Sequence, residues 1–119
     1  NITAIFTLNQ VKDEIKIKSN KTDIIVSIFA GRIADCGVDP EEIMKKSLRI
    51  CKNKKIKVLW ASTREVLNVY QANKINCDII TVPHSIITKL KLYGKSLKKY
   101  SQETSKMFFE DAKISKIKL

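Results

Sequence analysis

Two of the three arginines in this sequence, Arg32 and Arg64, occupy the positions best suited to binding an anion. Arg32 follows Gly31 just after the apolar run 24–29, and Arg64 comes shortly after the apolar run 58–61. In α/β folds the ligand-binding groups lie at the carboxyl ends of the strands, and a guanidinium binds a phosphate through two parallel hydrogen bonds. A surface ion pair is the usual explanation of either arginine alone, but the two together favour a phosphate site.

The residues around Arg64 predict the start of a helix. Ser62, followed three residues later by Glu65, has the pattern of a helix N-cap, which places Arg64 at the second position of a helix over 63–72. The first turn of a helix offers free N–H groups and a partial positive charge, and both favour an anion. This position supports the phosphate hypothesis.

Polar side chains in the first two predicted strands are candidates for binding hydroxyl groups. Alternation along a strand places Asn1, Thr3 and Ile5 on one face of the first strand, and Ser27 and Phe29 on one face of the second. The polar members could line a pocket for the hydroxyls of a sugar. They could equally hydrogen-bond to one another, since a buried hydroxyl costs free energy unless it is paired.

Four apolar runs alternate with amphipathic segments and must position these side chains. N-cap patterns at Thr7 and Asp39 support two of the helix starts. Strands that are apolar on both faces are typical of a parallel sheet covered by helices. Strands are predicted over 2–6, 24–29, 58–61 and 78–82, followed by helices over 8–17, 40–51, 63–72 and 83–92 and by a last helix over 97–112. The repeat favours an α/β fold, either a small open sheet or half of a (β/α)8 TIM barrel, because a complete barrel needs about 250 residues.

Composition excludes several classes of function. The net charge of +11 comes from 20 lysines and only 3 arginines, so we interpret it mainly as a solvated face and keep a nucleic-acid-binding module as the less favoured alternative. No apolar run approaches the about 20 residues of a membrane span, and we expect no membrane partner. Three dispersed cysteines and a single histidine argue against a metal site and favour reduced thiols in a cytoplasmic protein.

Three segments carry a resemblance to a known family. They are Asn-Ile-Thr-Ala-Ile-Phe-Thr at 1–7, Phe-Ala-Gly-Arg-Ile at 29–33 and Trp-Ala-Ser-Thr-Arg at 60–64, and together they resemble the second half of a transaldolase. The resemblance extends over nearly the whole chain and implies the C-terminal half of a TIM barrel, strands 5 to 8, as a single partial domain over 1–119. It also implies a transferase of the pentose phosphate pathway that moves a dihydroxyacetone unit between sugar phosphates through a Schiff base on a lysine, without a cofactor.

The resemblance also assigns roles to residues of this chain. Asn1 and Thr3 match positions that hold the catalytic water and the substrate hydroxyls. Ser27 matches a serine that contacts the dihydroxyacetone unit. Phe29 matches the phenylalanine of transaldolases where fructose-6-phosphate aldolases have a tyrosine, which favours transfer over aldol cleavage. Arg32 and Arg64 match the two phosphate-binding arginines of the family.

The lysine nucleophile of the family is expected upstream of position 1. Lys57 is the one lysine next to a predicted strand, and it lies at the end opposite to the arginines. We therefore expect the 119 residues to be a fragment that is inactive alone and that needs the missing half-barrel or self-association. The alternatives are a lyase similar to fructose-6-phosphate aldolase and a non-catalytic half-barrel that binds sugar phosphates.

Overall fold

The computed structural model describes residues 1–16, 22–52 and 54–115. They form two compact units, which divide between Thr88 and Lys89. The elements in chain order are β1 (Ile2–Ile5), α1 (Leu8–Lys16), β2 (Ile24–Ile28), α2 (Ala30–Asp35), α3 (Pro40–Cys51), β3 (Ile56–Trp60), α4 (Val66–Lys74), β4 (Ile79–Ile80), α5 (His84–Lys89), a 3-10 turn (Leu90–Leu92) and α6 (Leu97–Ile114).

The sheet of the first unit has four parallel strands in the order β1-β2-β3-β4. The central pair is in continuous register from Ile24 opposite Ile56 to Ile28 opposite Trp60. β4 pairs with β3 at only two positions. The predicted α/β class with a parallel sheet is confirmed.

One apolar core lies between this sheet and the helices. Val26 and Ile28 of β2 are fully buried in it beside Val58 and Trp60 of β3. The helices α1, α3 and α4 contribute the buried side chains Val11, Met44 and Ala72 to the same cluster. These three helices therefore lie on the same face of the sheet.

Local chemistry explains where two of the helices begin. Gln10 and Thr7 form a capping box at α1, in which the Gln10 Oε1 atom accepts from the Thr7 amide at 2.9 Å and Thr7 Oγ1 accepts from the Gln10 amide at 3.3 Å. Asp39 accepts from the Glu41 amide at 2.9 Å, and Pro40 fits the first helical position, where no N–H is needed. Both predicted N-caps are confirmed, and α3 has the predicted bounds.

Other element bounds differ from the prediction. β2 and β3 end one residue early, at Ile28 and Trp60, because the chain turns there into loops. The predicted strand 78–82 shrinks to two residues, since only those pair with β3. The predicted end of α1 at Ile17 lies outside the described residues. Helix α2 was missed, because six residues are too few to show a helical period.

The first strand also contains an irregularity. Ala4 has φ of +60°, and the register of β1 against β2 shifts between Ile2 and Ile5. The bulge turns Ile5 toward the helices, where it is 4% exposed within the core. The prediction that Ile5 shares a face with Asn1 and Thr3 is therefore wrong.

The second unit contains the longest helix, α6. Its N-cap is Ser96, whose hydroxyl accepts from the Lys99 amide at 3.4 Å. The Lys95 ammonium lies 4.8 Å from the centre of the Tyr100 ring and pairs with Glu103. Among the helices of the described residues, none has the length and apolar character needed to cross a membrane.

Candidate functional site

The carboxyl end of β2 positions Arg32 through a short turn. The chain leaves the strand at Phe29, whose amide donates to the Ile5 carbonyl at 2.9 Å, and α2 begins at the next residue. The Phe29 ring lies 5.9 Å from the ring of Phe6. The Arg32 guanidinium lies 5.5 Å from the centre of the Phe29 ring, a favourable cation–π distance. Arg32 is thus exposed but has a preferred place over Phe29.

The carboxyl end of β3 positions Arg64 through a loop that is anchored on both sides. The Ala61 amide donates to the Ile28 carbonyl at 2.8 Å, and the Thr63 hydroxyl donates to the Thr81 carbonyl at 2.6 Å. Between these anchors Ser62 has φ of +63°, the left-handed region that side chains disfavour. The residues that precede Arg64 are therefore held in a specific conformation.

The helix predicted to start at Ser62 begins later. α4 starts at Val66. Oδ1 of Asn68 accepts hydrogen bonds from the Arg64 amide at 2.9 Å and from the Glu65 amide at 3.1 Å. A residue with positive φ cannot open this helix, so the N-cap assignment of Ser62 is wrong. Arg64 consequently precedes the helix, and its amide is already paired.

Gly31 allows the two loops to touch. A Cβ atom at Gly31 would lie 1.7 Å from the Ser62 carbonyl oxygen and 2.8 Å from Cγ of Arg64. Only a residue without a side chain fits this space. The stem of Arg64 therefore lies against the residue that precedes Arg32, and the two arginines follow neighbouring strands at one edge of the sheet, as the sequence predicted.

A carboxylate that the sequence pattern does not predict completes this edge. Asp35, the last residue of α2, accepts from Nη2 of Arg64 at 2.8 Å, and both side chains are about half exposed. The two residues are 29 positions apart, so no local pattern shows the contact. The one hint is that Asp35 lies one helical turn after Arg32.

The polar residues of the first two strands also meet. The Ser27 hydroxyl donates to Oδ1 of Asn1 at 2.7 Å, and Ser27 is only 3% exposed. Thr3 is exposed and follows Ile2, whose register partner Val26 immediately precedes Ser27. The structure therefore brings Asn1 and Ser27 into contact, with the buried Ser27 hydroxyl already paired, and leaves Thr3 exposed beside the bulge of β1.

Comparison with known proteins identifies the family. The family model described as transaldolase/fructose-6-phosphate aldolase matches residues 1–119. The chain belongs to this family.

Several probable transaldolases are similar in sequence to the chain. The relative from Myxococcus xanthus is 32% identical over 113 residues, which cover 90% of this chain and 49% of the relative. The relative from Thermoplasma volcanium is 34% identical over 98 residues, covering 81% and 42%. That from Chelativorans sp. is 35% identical over 92 residues, covering 76% and 41%. The chain thus spans about half or less of the length of these curated relatives.

In this member of the transaldolase/fructose-6-phosphate aldolase family, two pockets lie away from the arginine edge. They have volumes of about 480 and 520 Å³ and lie near the amino end of β3, the second also beside the amino end of β2. The first is lined by Arg49, Lys52 and Lys74 near the carboxyl ends of α3 and α4, and by Lys45, which pairs with Glu41 within α3. Cations there are stabilised by the negative ends of the helix dipoles, so the charge has a structural explanation. We place the candidate site at the arginines because the loops that carry them are in close contact at Gly31 and are anchored by hydrogen bonds.

Two of the three thiols of this family member, those of Cys51 and Cys77, are not suited to nucleophilic chemistry. Burial raises the pKa of Cys51 to about 11 and also raises the pKa of Cys77, which keeps both as thiols near neutral pH. Within residues 1–16, 22–52 and 54–115, no three histidine, cysteine or acidic side chains gather as a group of metal ligands.

Proposed function

We propose that this chain provides the phosphate-binding and hydroxyl-binding part of a transaldolase that transfers a dihydroxyacetone unit between sugar phosphates. The observation that carries the proposal is the contact between the two loops at Gly31, which brings Arg32 and Arg64 to one edge of the sheet. Family membership supports the same chemistry, since the relatives are named probable transaldolases.

The present contacts of both arginines leave N–H donors free for a phosphate. Arg64 uses Nη2 for Asp35, so among the described residues the other N–H groups of its guanidinium remain available. Arg32 is engaged through its face by the Phe29 ring, which leaves the edge of its guanidinium for hydrogen bonds. Two guanidinium groups match the two negative charges of a sugar phosphate near neutral pH.

The hydroxyl-binding role falls to the residues next to this edge. The Ser27–Asn1 pair can accept and donate to a hydroxyl of the dihydroxyacetone unit, because the Ser27 oxygen still has lone pairs and Asn1 still has its NH2 group. Exposed Thr3 can hold the water that hydrolysis of a Schiff base consumes. Phe29 offers only an apolar ring where a tyrosine would offer an acid, which favours transfer over aldol cleavage.

The Schiff-base lysine is proposed to come from outside these 119 residues. In the described part of the chain, Lys57 is the one lysine within a strand, and it is exposed near the amino end of β3. A lysine nucleophile needs burial or a cationic neighbour to lower its pKa. We propose that the chain alone forms no productive Schiff base with fructose 6-phosphate. Borohydride reduction of the mixture tests this, since covalent labelling of the chain would refute it.

The architecture supports a partial barrel as the setting. Four strands in sequential parallel order, with helices on one face, have the layout of consecutive βα units of a TIM barrel. We propose half of a (β/α)8 barrel whose other half or a second copy completes the structure, acting in the cytoplasm in the pentose phosphate pathway. Light scattering measures the mass of the species in solution. We expect the mass of a dimer for the chain alone, or the mass of a complex when the other half is added.

The decisive test of the phosphate site uses the three arginines of the chain. Arg32→Ala and Arg64→Ala should each weaken binding of fructose 6-phosphate by about tenfold, as loss of a charge-assisted hydrogen bond predicts. Arg49→Ala removes the same charge from the exposed surface of α3 and should leave binding unchanged. Equal affinities for all four proteins in a calorimetric titration would refute the proposed function.

A second candidate function is a non-catalytic half-barrel that binds sugar phosphates. None of the described strands carries a lysine near the arginines, which is compatible with this function as well as with a lysine from outside these residues. The two functions differ in one observation. A lysine on a strand of a longer gene product or partner chain, trapped by borohydride in the assembled protein, supports the enzyme, and its absence supports the binding protein.

A further inference from the structure

We propose that Asp35 is a positioning residue that holds Arg64 ready for the phosphate group of the substrate. The inference rests on the proposed function, because it concerns the same two arginines. It goes beyond that function by assigning a role to a carboxylate that would not itself bind an anion.

The first support is how the two arginines are divided between partners. Arg32 and Asp35 lie one turn apart on α2, at a spacing where an ion pair between them is common. Asp35 instead pairs with Arg64 at 2.8 Å, and Arg32 lies over Phe29. Each arginine therefore has its own partner, and neither competes for the partner of the other.

The second support is the path of the Arg64 side chain. Its Cγ atom lies against Gly31, where any side chain would collide with it. Asp35 then holds the guanidinium at the far end. The stem and the head of the side chain are thus fixed by two different residues of α2, which limits the rotamers that the exposed arginine can visit.

The physical benefit is preorganisation. A long flexible side chain loses rotamer freedom when it binds a ligand, and a partner that restricts it beforehand reduces that loss. An exposed ion pair contributes little to folding stability, so stability is a poor explanation of this contact. The carboxylate also repels a phosphate, but solvent and salt screen this repulsion at a half-exposed position.

The experiment measures binding of inorganic phosphate by ³¹P NMR titration. Asp35→Ala should weaken phosphate binding by about three- to fivefold, the upper range for an exposed ion pair. Asp35→Asn keeps an oxygen that can accept from Nη2 and should recover most of the affinity. The matched control is Asp13→Ala, which removes an equally short exposed ion pair, with Lys16 at 2.8 Å, and should have no effect.

A double-mutant cycle shows whether Asp35 acts through Arg64. In the Arg64→Ala background, Asp35→Ala should cause no further loss of affinity, whereas a general effect on the fold would persist. Urea unfolding of each variant checks its stability, and Asp35→Asn decides the result if Asp35→Ala does not fold.

The outcomes separate this inference from the proposed function. Unchanged or tighter phosphate binding by the Asp35 variants, with weaker binding by Arg32→Ala and Arg64→Ala, would overturn only the role of Asp35. Unchanged binding by the arginine variants would overturn the proposed function itself.

Discussion

Replacement of Gly31 by alanine is the sharpest test of how the arginine edge is built. The new Cβ atom would lie 1.7 Å from the Ser62 carbonyl oxygen. Heavy atoms in contact are about 3.5 to 4 Å apart, so the two loops would have to separate by about 2 Å. The loop cannot yield easily, because the residues on both sides of Ser62 are anchored by hydrogen bonds to Ile28 and Thr81.

This collision determines how much stability Gly31→Ala should cost. Overpacking costs typically 1 to 3 kcal/mol, and a clash with anchored backbone belongs at the upper end, so we expect Gly31→Ala to lose about 3 kcal/mol of unfolding free energy. Small domains have about 5 to 15 kcal/mol in total. Separating the loops also moves Arg64 away from Arg32, and phosphate affinity should fall by about tenfold or more.

Gly37 provides the matched control. It has φ of +77° with no atom within 4 Å of a new Cβ, so Gly37→Ala adds the same methyl group into open space. We expect a loss of about 1 to 2 kcal/mol from the left-handed backbone alone, with phosphate binding unchanged. Urea unfolding and phosphate titration measure both quantities. If Gly31→Ala lowers the unfolding free energy and the phosphate affinity no more than Gly37→Ala does, the two loops do not pack as closely as described.

Three further predictions concern the surroundings of the site. Asn68→Ala should destabilise the protein by about 1 to 2 kcal/mol in urea unfolding because two amides lose their acceptor, and Asn68→Asp should retain most of that stability. The buried Nε1 atom of Trp60 has no partner among the described residues, so Trp60→Phe should change stability by only about 1 kcal/mol, against about 3 to 5 for Trp60→Ala. Burial raises the pKa of the Cys51 thiol from 9.0 to about 11, so this thiol favours the folded state fully below pH 9, and that advantage is lost as the pH rises to 11. Unfolding measured against Cys51→Ala should show this decline, and a constant difference over the range would contradict it.

Sequence patterns predicted the features that depend on neighbours in the chain. Helix α3 has its predicted bounds because Asp39 and Pro40 define its start chemically. The capping box of Thr7 and Gln10 is equally local. The placement of Arg32 and Arg64 at one edge follows from the general rule that parallel strands place their carboxyl ends together.

The features that were missed depend on tertiary contacts. Nothing in an alanine signals the positive φ and bulge at Ala4, which moved Ile5 into the core. Ser62 is a good N-cap residue by type, but the contact of its carbonyl with Gly31 sets its backbone instead. The pairing of Asp35 with Arg64 joins residues from successive βα units, and no local pattern in a single sequence predicts it.

The order of strands in the sheet has a consequence for folding during synthesis. Each strand pairs with the strand made just before it, and the register partners lie between 20 and 32 positions apart in the chain. The ribosome releases a chain from its N-terminus at about 5 to 20 residues per second, so every new strand emerges within seconds of its partner. The described sheet therefore grows at one edge only, and no strand has to be inserted between two that are already paired.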